Sequence, residues 1–271
     1  MTEADRLFVG SMPEFYDRYL GPVLFEPFTA SVARRVAASS PRSVLEIAAG
    51  TGLLTAALAW AMPDAVITAT DLNQAMLDHA VGMRSAPNIY GQQADAQQLP
   101  HPDSSFDVTV CQFGAMFFPD RPAAYAQAKR VLHPGGPLVL VIWESLAHND
   151  FPRVMNEAIR AMLPGGTPLF MERIPHGYND IDAIRADLVA GGFAGVEVDT
   201  LTILGQHASA FEVARGFMYG TPIQAAFQGD SAQADRERAV EAAADAMRAE
   251  LGDGSDAITG QLTAHLVIAA S

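Results

Sequence analysis

The sequence predicts an α/β protein, a doubly wound and mostly parallel sheet with helical insertions. Three observations predict it. Strand-like runs at residues 44–47, 65–70, 88–93, 106–112 and 137–143, mostly apolar, follow one another with helical segments between most of them, the order that builds a parallel sheet. The first run passes through Ala48-Ala49-Gly50-Thr51-Gly52 straight into a helical segment, and strand, Gly-rich turn and helix open a nucleotide-binding unit. Three acids, Glu46, Asp71 and Asp95, fall at the C-terminal ends of the first three runs. That edge of an open parallel sheet is where ligands bind.

At 271 residues and 49% hydrophobic content the chain can bury one α/β domain with a cap or two small domains. A net charge of −14 disfavours nucleic acid and anionic membrane as partners. One cysteine, Cys111, allows no internal disulfide and sits in an apolar run as a small buried hydrophobe. Met1-Thr2-Glu3-Ala4-Asp5 has neither the basic start nor the apolar core of a signal peptide. The apolar run at residues 138–143 is far too short to span a bilayer. A soluble, cytoplasmic protein without stable membrane insertion is expected. No internal repeat is present.

Residues 44–47 suit a strand buried on both faces. Residues 48–52 carry almost no side chains, so their backbone can approach a ligand closely. The dinucleotide spacing G-x-G-x-x-G does not occur; an acid instead precedes the turn as E-x-A-x-G-x-G over residues 46–52. This resembles the first motif of class I S-adenosylmethionine-dependent methyltransferases, an acid followed by three alternating glycines. Ala48 stands where the first glycine is expected, and its methyl is expected to narrow the turn slightly. The resemblance implies S-adenosylmethionine as cofactor, S-adenosylhomocysteine as product, and a Rossmann-like sheet with an antiparallel last strand. It places Ala48, Ala49, Gly50, Thr51 and Gly52 against the cofactor, with Glu46 holding its ammonium group.

Before the first strand, residues 13–36 carry Phe15, Tyr16, Tyr19, Phe25 and Phe28. Two short helices broken around Gly21-Pro22 are expected there. The rings suit plain packing as well as a ligand role. In relatives of the motif an N-terminal helix lies over the cofactor, which would bring Tyr16 and Tyr19, one helical turn apart, nearest the sulfonium. The second strand ends in Asp71, placed to accept both ribose hydroxyls, a role nicotinamide enzymes share. Leu72 and Met76 follow, suited to an adenine face or to helix core.

The third strand leads to Ala94-Asp95-Ala96 and Leu99-Pro100, and Ser105-Phe106-Asp107-Val108 opens the fourth. These resemble the third and fourth methyltransferase motifs and would give Asp95 the adenine amino group, with the Ala96 amide beside the ring. Phe113-Gly114, Asp120 and Arg130-Val131-Leu132 before Pro134-Gly135-Gly136 resemble the ubiquinone/menaquinone-biosynthesis type of small-molecule methyltransferase over residues 43–143. Gln112 and Phe113 would then lie against the methionine end of the cofactor. No N-P-P-Y or D-P-P-Y follows the fourth strand, which speaks against adenine- or glutamine-directed amino methylation, and no His or Cys cluster has metal-ligand spacing.

Beyond residue 144 helices are expected at 151–163, 181–190, 211–228 and 235–251, the last a solvated one. A loop is expected at 164–178, a sixth strand at 196–204 and a closing strand at 263–270 between the fifth and sixth. Residues 1–42 read as an arm over the cofactor site, and 43–271 as the methyltransferase domain with cap segments near 145–180 and 209–260. The aromatic and Met-rich cap suits a small apolar or aromatic acceptor, a core, or a homodimer contact. Glu144, His148 and His176 are the general-base candidates, needed where the acceptor loses a proton. Two rivals stand beside methyl transfer: a nicotinamide oxidoreductase, disfavoured by the missing glycine spacing, and a cofactor-binding protein that transfers nothing.

Overall fold

The computed structural model describes residue 8 and residues 10–163 and 168–271. The N-terminal stretch read for a leader and the Pro164-Gly165-Gly166 turn lie outside the described residues. The chain runs α1 (Met12–Phe15), a π-helical segment (Tyr16–Phe25), α2 (Glu26–Ala37), β1 (Ser43–Ile47), α3 (Leu53–Ala61), β2 (Val66–Asp71), α4 (Gln74–Met83), β3 (Ile89–Gln93) and β4 (Val108–Gln112). It continues with α5 (Arg121–Val131), β5 (Pro137–Trp143), α6 (Asp150–Met162), α7 (Phe170–Arg173), α8 (Ile181–Ala190), β6 (Gly195–His207), α9 (Ala210–Gly220), α10 (Ala232–Leu251) and β7 (Ile258–Ala270). Two compact units result. A sheet unit holds residues 28–143, 178–201 and 264–271, and a helical unit holds the arm up to residue 27 with residues 144–177 and 202–263.

In the sheet unit the strand order is β3-β2-β1-β4-β5-β7-β6. β1 pairs in parallel with β2 and β4, and β7 runs antiparallel to β5 with Trp143 opposite Ala264. The closing strand therefore lies between the fifth and sixth, as the family resemblance implies. Val44, Leu45, Val110, Val141 and Ile142 are fully shielded from solvent, as strands covered on both faces require. Burying each such side chain contributes about 1.5–3 kcal/mol. Asp107 fixes where β1 begins: its carboxylate accepts from the Arg42 and Ser43 amides at 2.8 and 3.0 Å and from the Ser43 hydroxyl. Burial pushes its carboxyl up, but these hydrogen bonds outweigh that and hold it below the usual range.

The helical unit corrects several expectations. The arm is not broken at Gly21-Pro22. The Glu26 amide bonds to the Gly21 carbonyl, an i→i−5 step that carries Pro22 inside a continuous helix. The helix expected at 211–228 stops at Gly220, where Thr221 and Pro222 start a 3₁₀ turn, and the strand expected from 263 begins at Ile258. α10, expected to be solvated, buries Ala239, Val240, Ala243, Ala244 and Met247. Those positions form one helical stripe, and their small side chains let α9 and α6 pack closely on it. The loop expected at 164–178 carries the short helix α7.

Candidate active site

The three acids read as strand ends, Glu46, Asp71 and Asp95, stand at the C-terminal edge of the sheet unit. Glu46 is the penultimate residue of β1 and is 2% exposed. Its carboxylate accepts the Thr55 hydroxyl of α3 at 2.6 Å, while its own carbonyl accepts the Thr70 hydroxyl of β2 at 2.9 Å. Burial raises its carboxyl to about 8; the Thr55 bond opposes the rise and neighbouring Asp71 adds to it. Asp71 ends β2 and accepts the Gly50 amide at 2.9 Å and the Asn73 amide at 2.8 Å. Burial raises its carboxyl too, against those two amides. The acid thus clasps the turn between β1 and α3 to the turn after β2. Ala94, just past β3, donates its amide to the Asp71 carbonyl at 2.9 Å, which brings Asp95 alongside. Asp95 caps its own turn through the Gln97 amide at 2.8 Å.

The turn itself is left-handed at Ala48 (φ 57°), Gly50 (φ 57°) and Gly52 (φ 83°). Gly50 faces open space, whereas a Cβ on Gly52 would meet Ala80 of α4 at 3.1 Å. Ala48 pays the usual ~1–2 kcal/mol of a left-handed non-glycine residue. Its methyl packs on Gly114, where an added Cβ would lie 2.4 Å away, so the facing position takes glycine. Two buried polar atoms at this edge have no hydrogen-bond partner, Thr51 Oγ1 and Gln112 Oε1. Orphaned buried polar atoms are uncommon in folded proteins. Together with the open face at Gly50, they fit a ligand carrying amino, carboxylate and hydroxyl groups.

Ala49 and Ala96 are buried, Met76 is buried in α4, and Leu72 is 40% exposed just past β2. Phe113, also left-handed (φ 57°), stacks on Trp143 with centroids 3.7 Å apart and receives the edge of Phe28 at 5.3 Å. Tyr16 and Tyr19 belong to the helical unit. Tyr16 stacks on Phe25 at 4.7 Å, while Tyr19 meets Phe15 at 5.7 Å and has Arg18 over its ring at 5.2 Å.

The helical unit gathers the three base candidates. His148 Nδ1 pairs with the Glu144 carboxylate, and the Ser145 hydroxyl bridges to the same carboxylate at 3.1 Å. His176 is 5% exposed and donates Nδ1–H to the Glu144 carbonyl at 2.8 Å. Burial lowers its imidazolium to about 4, against the Glu144 contacts that favour the charged form. Two positioning residues escaped the sequence reading. Thr55 holds Glu46, and its place nine residues on in the same motif was the available signal. Asn149, fully buried, donates to the carbonyls of Glu144, Ser145 and Thr263 and accepts the Thr263 amide, fixing the turn that carries Glu144. Among the described residues no group of three His, Cys, Asp or Glu side chains could hold a metal, and no helix is long and apolar enough to cross a membrane.

The buried Glu46 gives a stability test. Between about pH 4.5 and 8 the unfolded chain has lost a proton that folded Glu46 keeps, so stability should fall as pH rises through that window and level off above it. Asp71 contributes with the same sign. Urea unfolding at several pH values should show this slope, and Glu46→Gln should reduce it. An equal slope in both proteins would mean that Glu46 ionises normally in the fold.

An acid-tipped parallel sheet around a small-residue turn, closed by an antiparallel strand, defines the class I methyltransferase architecture. Residues 44–136 match the family described as a methyltransferase domain. The demethylmenaquinone methyltransferase of Deinococcus radiodurans is 37% identical over 136 residues, covering 49% of this chain and 56% of that protein. A ubiquinone/menaquinone biosynthesis C-methyltransferase of Saccharophagus degradans is 38% identical over 107 residues, 38% of this chain and 43% of that protein. The chain spans about half the length of these curated relatives. Among solved structures, the YcgJ protein of Bacillus subtilis superposes with a TM-score of 0.59 at 20% identity, covering 90% of this chain and 97% of that one. The cyclase SpnF gives 0.52 at 17% identity, covering 89% and 80%. These two likenesses establish the fold alone.

Proposed function

We propose that the protein transfers a methyl group from S-adenosylmethionine to a small, apolar, quinone-type ring, releasing S-adenosylhomocysteine. The observation that carries this reading is the pair of buried acids, Glu46 and Asp71, on adjacent strands around the turn that Asp71 clasps. When bound, the cofactor supplies an activated methyl for in-line displacement, and the protein aligns the acceptor and excludes water. Glu46 would hold the ammonium group, ionising as it does so; Ala48, Ala49, Gly50, Thr51 and Gly52 would line the methionyl side. Asp71 would take the ribose hydroxyls, Leu72, Met76 and Ala96 the adenine ring, and Asp95 its amino group. Gln112 and Phe113 would close the methionine end, and Tyr16 and Tyr19 would act from the arm. The acceptor class comes from the two curated relatives, whose names place them in quinone biosynthesis.

Methylating a ring carbon requires that a proton leave the acceptor. His176 suits that step: it is neutral at physiological pH, and donating Nδ1–H to the Glu144 carbonyl leaves Nε2 as its basic nitrogen. The Glu144–His148 pair is the second candidate. We place the protein in the cytoplasm, with no nucleic-acid partner; its charge of −14 supports this. Incubation with S-adenosylmethionine and a demethylated quinol should give a product heavier by one methyl. His176→Asn should cut turnover at least tenfold without changing cofactor affinity. Absence of any methylated product in folded protein that binds the cofactor would contradict the reading.

A further inference from the structure

The sequence sets 17 basic against 31 acidic side chains, and Arg130, Arg153, Arg160, Arg238 and Arg248 each pair with a carboxylate. Arg215 of α9 does not. Its guanidinium carbon stands 5.5 Å from the Phe15 ring centroid, 5.8 Å from that of Phe211 and 5.9 Å from that of Tyr19. Glu14 and Glu212 lie on the same helices, yet among the described residues no carboxylate pairs with Arg215. All of these residues belong to the helical unit.

Ring stacking and hydrogen bonding use different parts of a guanidinium. Aromatic faces hold its flat surface, while its donors lie in the plane along the edge. Contact with three ring faces leaves the donors of the group unused, and a guanidinium with free donors suits a carboxylate bidentately. Arg18, exposed over Tyr19 at 5.2 Å, adds a second positive charge. Phe15, Phe211 and Tyr219 are each half-buried, with Phe15 and Tyr219 centroids 5.5 Å apart. Apolar ring surface thus remains beside the guanidinium edge.

We propose that Arg215 and its ring cage form a binding site for an aromatic carboxylate. The carboxylate sits on the guanidinium edge, and the ligand ring packs on Phe15, Phe211 and Tyr219. The site shares Tyr19 with the arm residues placed at the cofactor above, but its test reads benzoate binding and needs no cofactor.

The test is calorimetric titration of the full chain with benzoate and with its neutral isostere benzamide. Benzoate should saturate in the millimolar range and bind at least tenfold more tightly than benzamide, with affinity falling as salt is added. Arg215→Gln should weaken benzoate at least tenfold, Arg215→Lys less, and Arg18→Gln least of all. Equal affinities for benzoate and benzamide, no saturation with benzoate, or unchanged binding in folded Arg215→Gln would each overturn the proposal. Should Arg215→Gln not fold, the comparison of the two ligands on the wild-type chain decides.

Discussion

A Gly114→Ala variant should melt well below the wild type. The added Cβ would lie 2.4 Å from the Ala48 methyl and 2.8 Å from Cys111 Sγ. Both neighbours are held: Ala48 by the left-handed turn, and Cys111 by complete burial in β4. Overpacking of this kind costs about 1–3 kcal/mol, and in a chain this size each kcal/mol lowers Tm by roughly 2–4 °C. The double variant Ala48→Gly/Gly114→Ala removes the shorter contact and should recover at least half of the lost Tm. Thermal melts of the two single variants and the double complete the cycle. A double variant that melts no higher than Gly114→Ala would show that the methyl of Ala48 is not the obstacle.

Asp71→Ala should weaken S-adenosylmethionine binding at least tenfold in protein that still folds. The carboxylate is needed twice, once for the proposed ribose contact and once to clasp Gly50 and Asn73. Asp71→Asn separates the two roles. It keeps one carbonyl acceptor and so part of the clasp, but it lacks the second acceptor that a pair of ribose hydroxyls needs. Its affinity should fall between those of the wild type and Asp71→Ala. Calorimetry on all three proteins reads the order directly, and wild-type affinity in Asp71→Ala would remove this residue from the site.

The central sheet was legible because its code is local. Buried parallel strands are continuous apolar runs, and each of the five runs expected between residues 44 and 143 became a strand, the first three carrying Glu46, Asp71 and Asp95 at the expected edge. The antiparallel position of β7 came from the family resemblance and holds. The helical unit was less legible. Gly21-Pro22 reads as a break in any local analysis, yet an i→i−5 step absorbs the missing amide. α10 reads as solvated because alanine marks no face by itself; only packing against α6 and α9 reveals its stripe. At the site, the residue types were readable but their directions were not. The methyl of Ala48 turns toward Gly114, a residue 66 positions on, and no spacing rule within the motif conveys that. Tyr16 and Tyr19 sit in a π-helical segment, and each has its own ring partner, Phe25 for one and Phe15 for the other. Asn149 and Arg215 owe their interest to partners brought in by tertiary packing.

The most direct test of the methyltransferase reading is calorimetric titration of the wild-type chain with S-adenosylmethionine, S-adenosylhomocysteine and NAD in parallel. Micromolar binding of both sulfur ligands is expected, with NAD silent and a proton released as Glu46 ionises against the ligand ammonium. Repeating the titration in buffers of different ionisation enthalpy measures that proton. Binding of NAD in their place, or silence from both sulfur ligands in folded protein, would contradict the assignment.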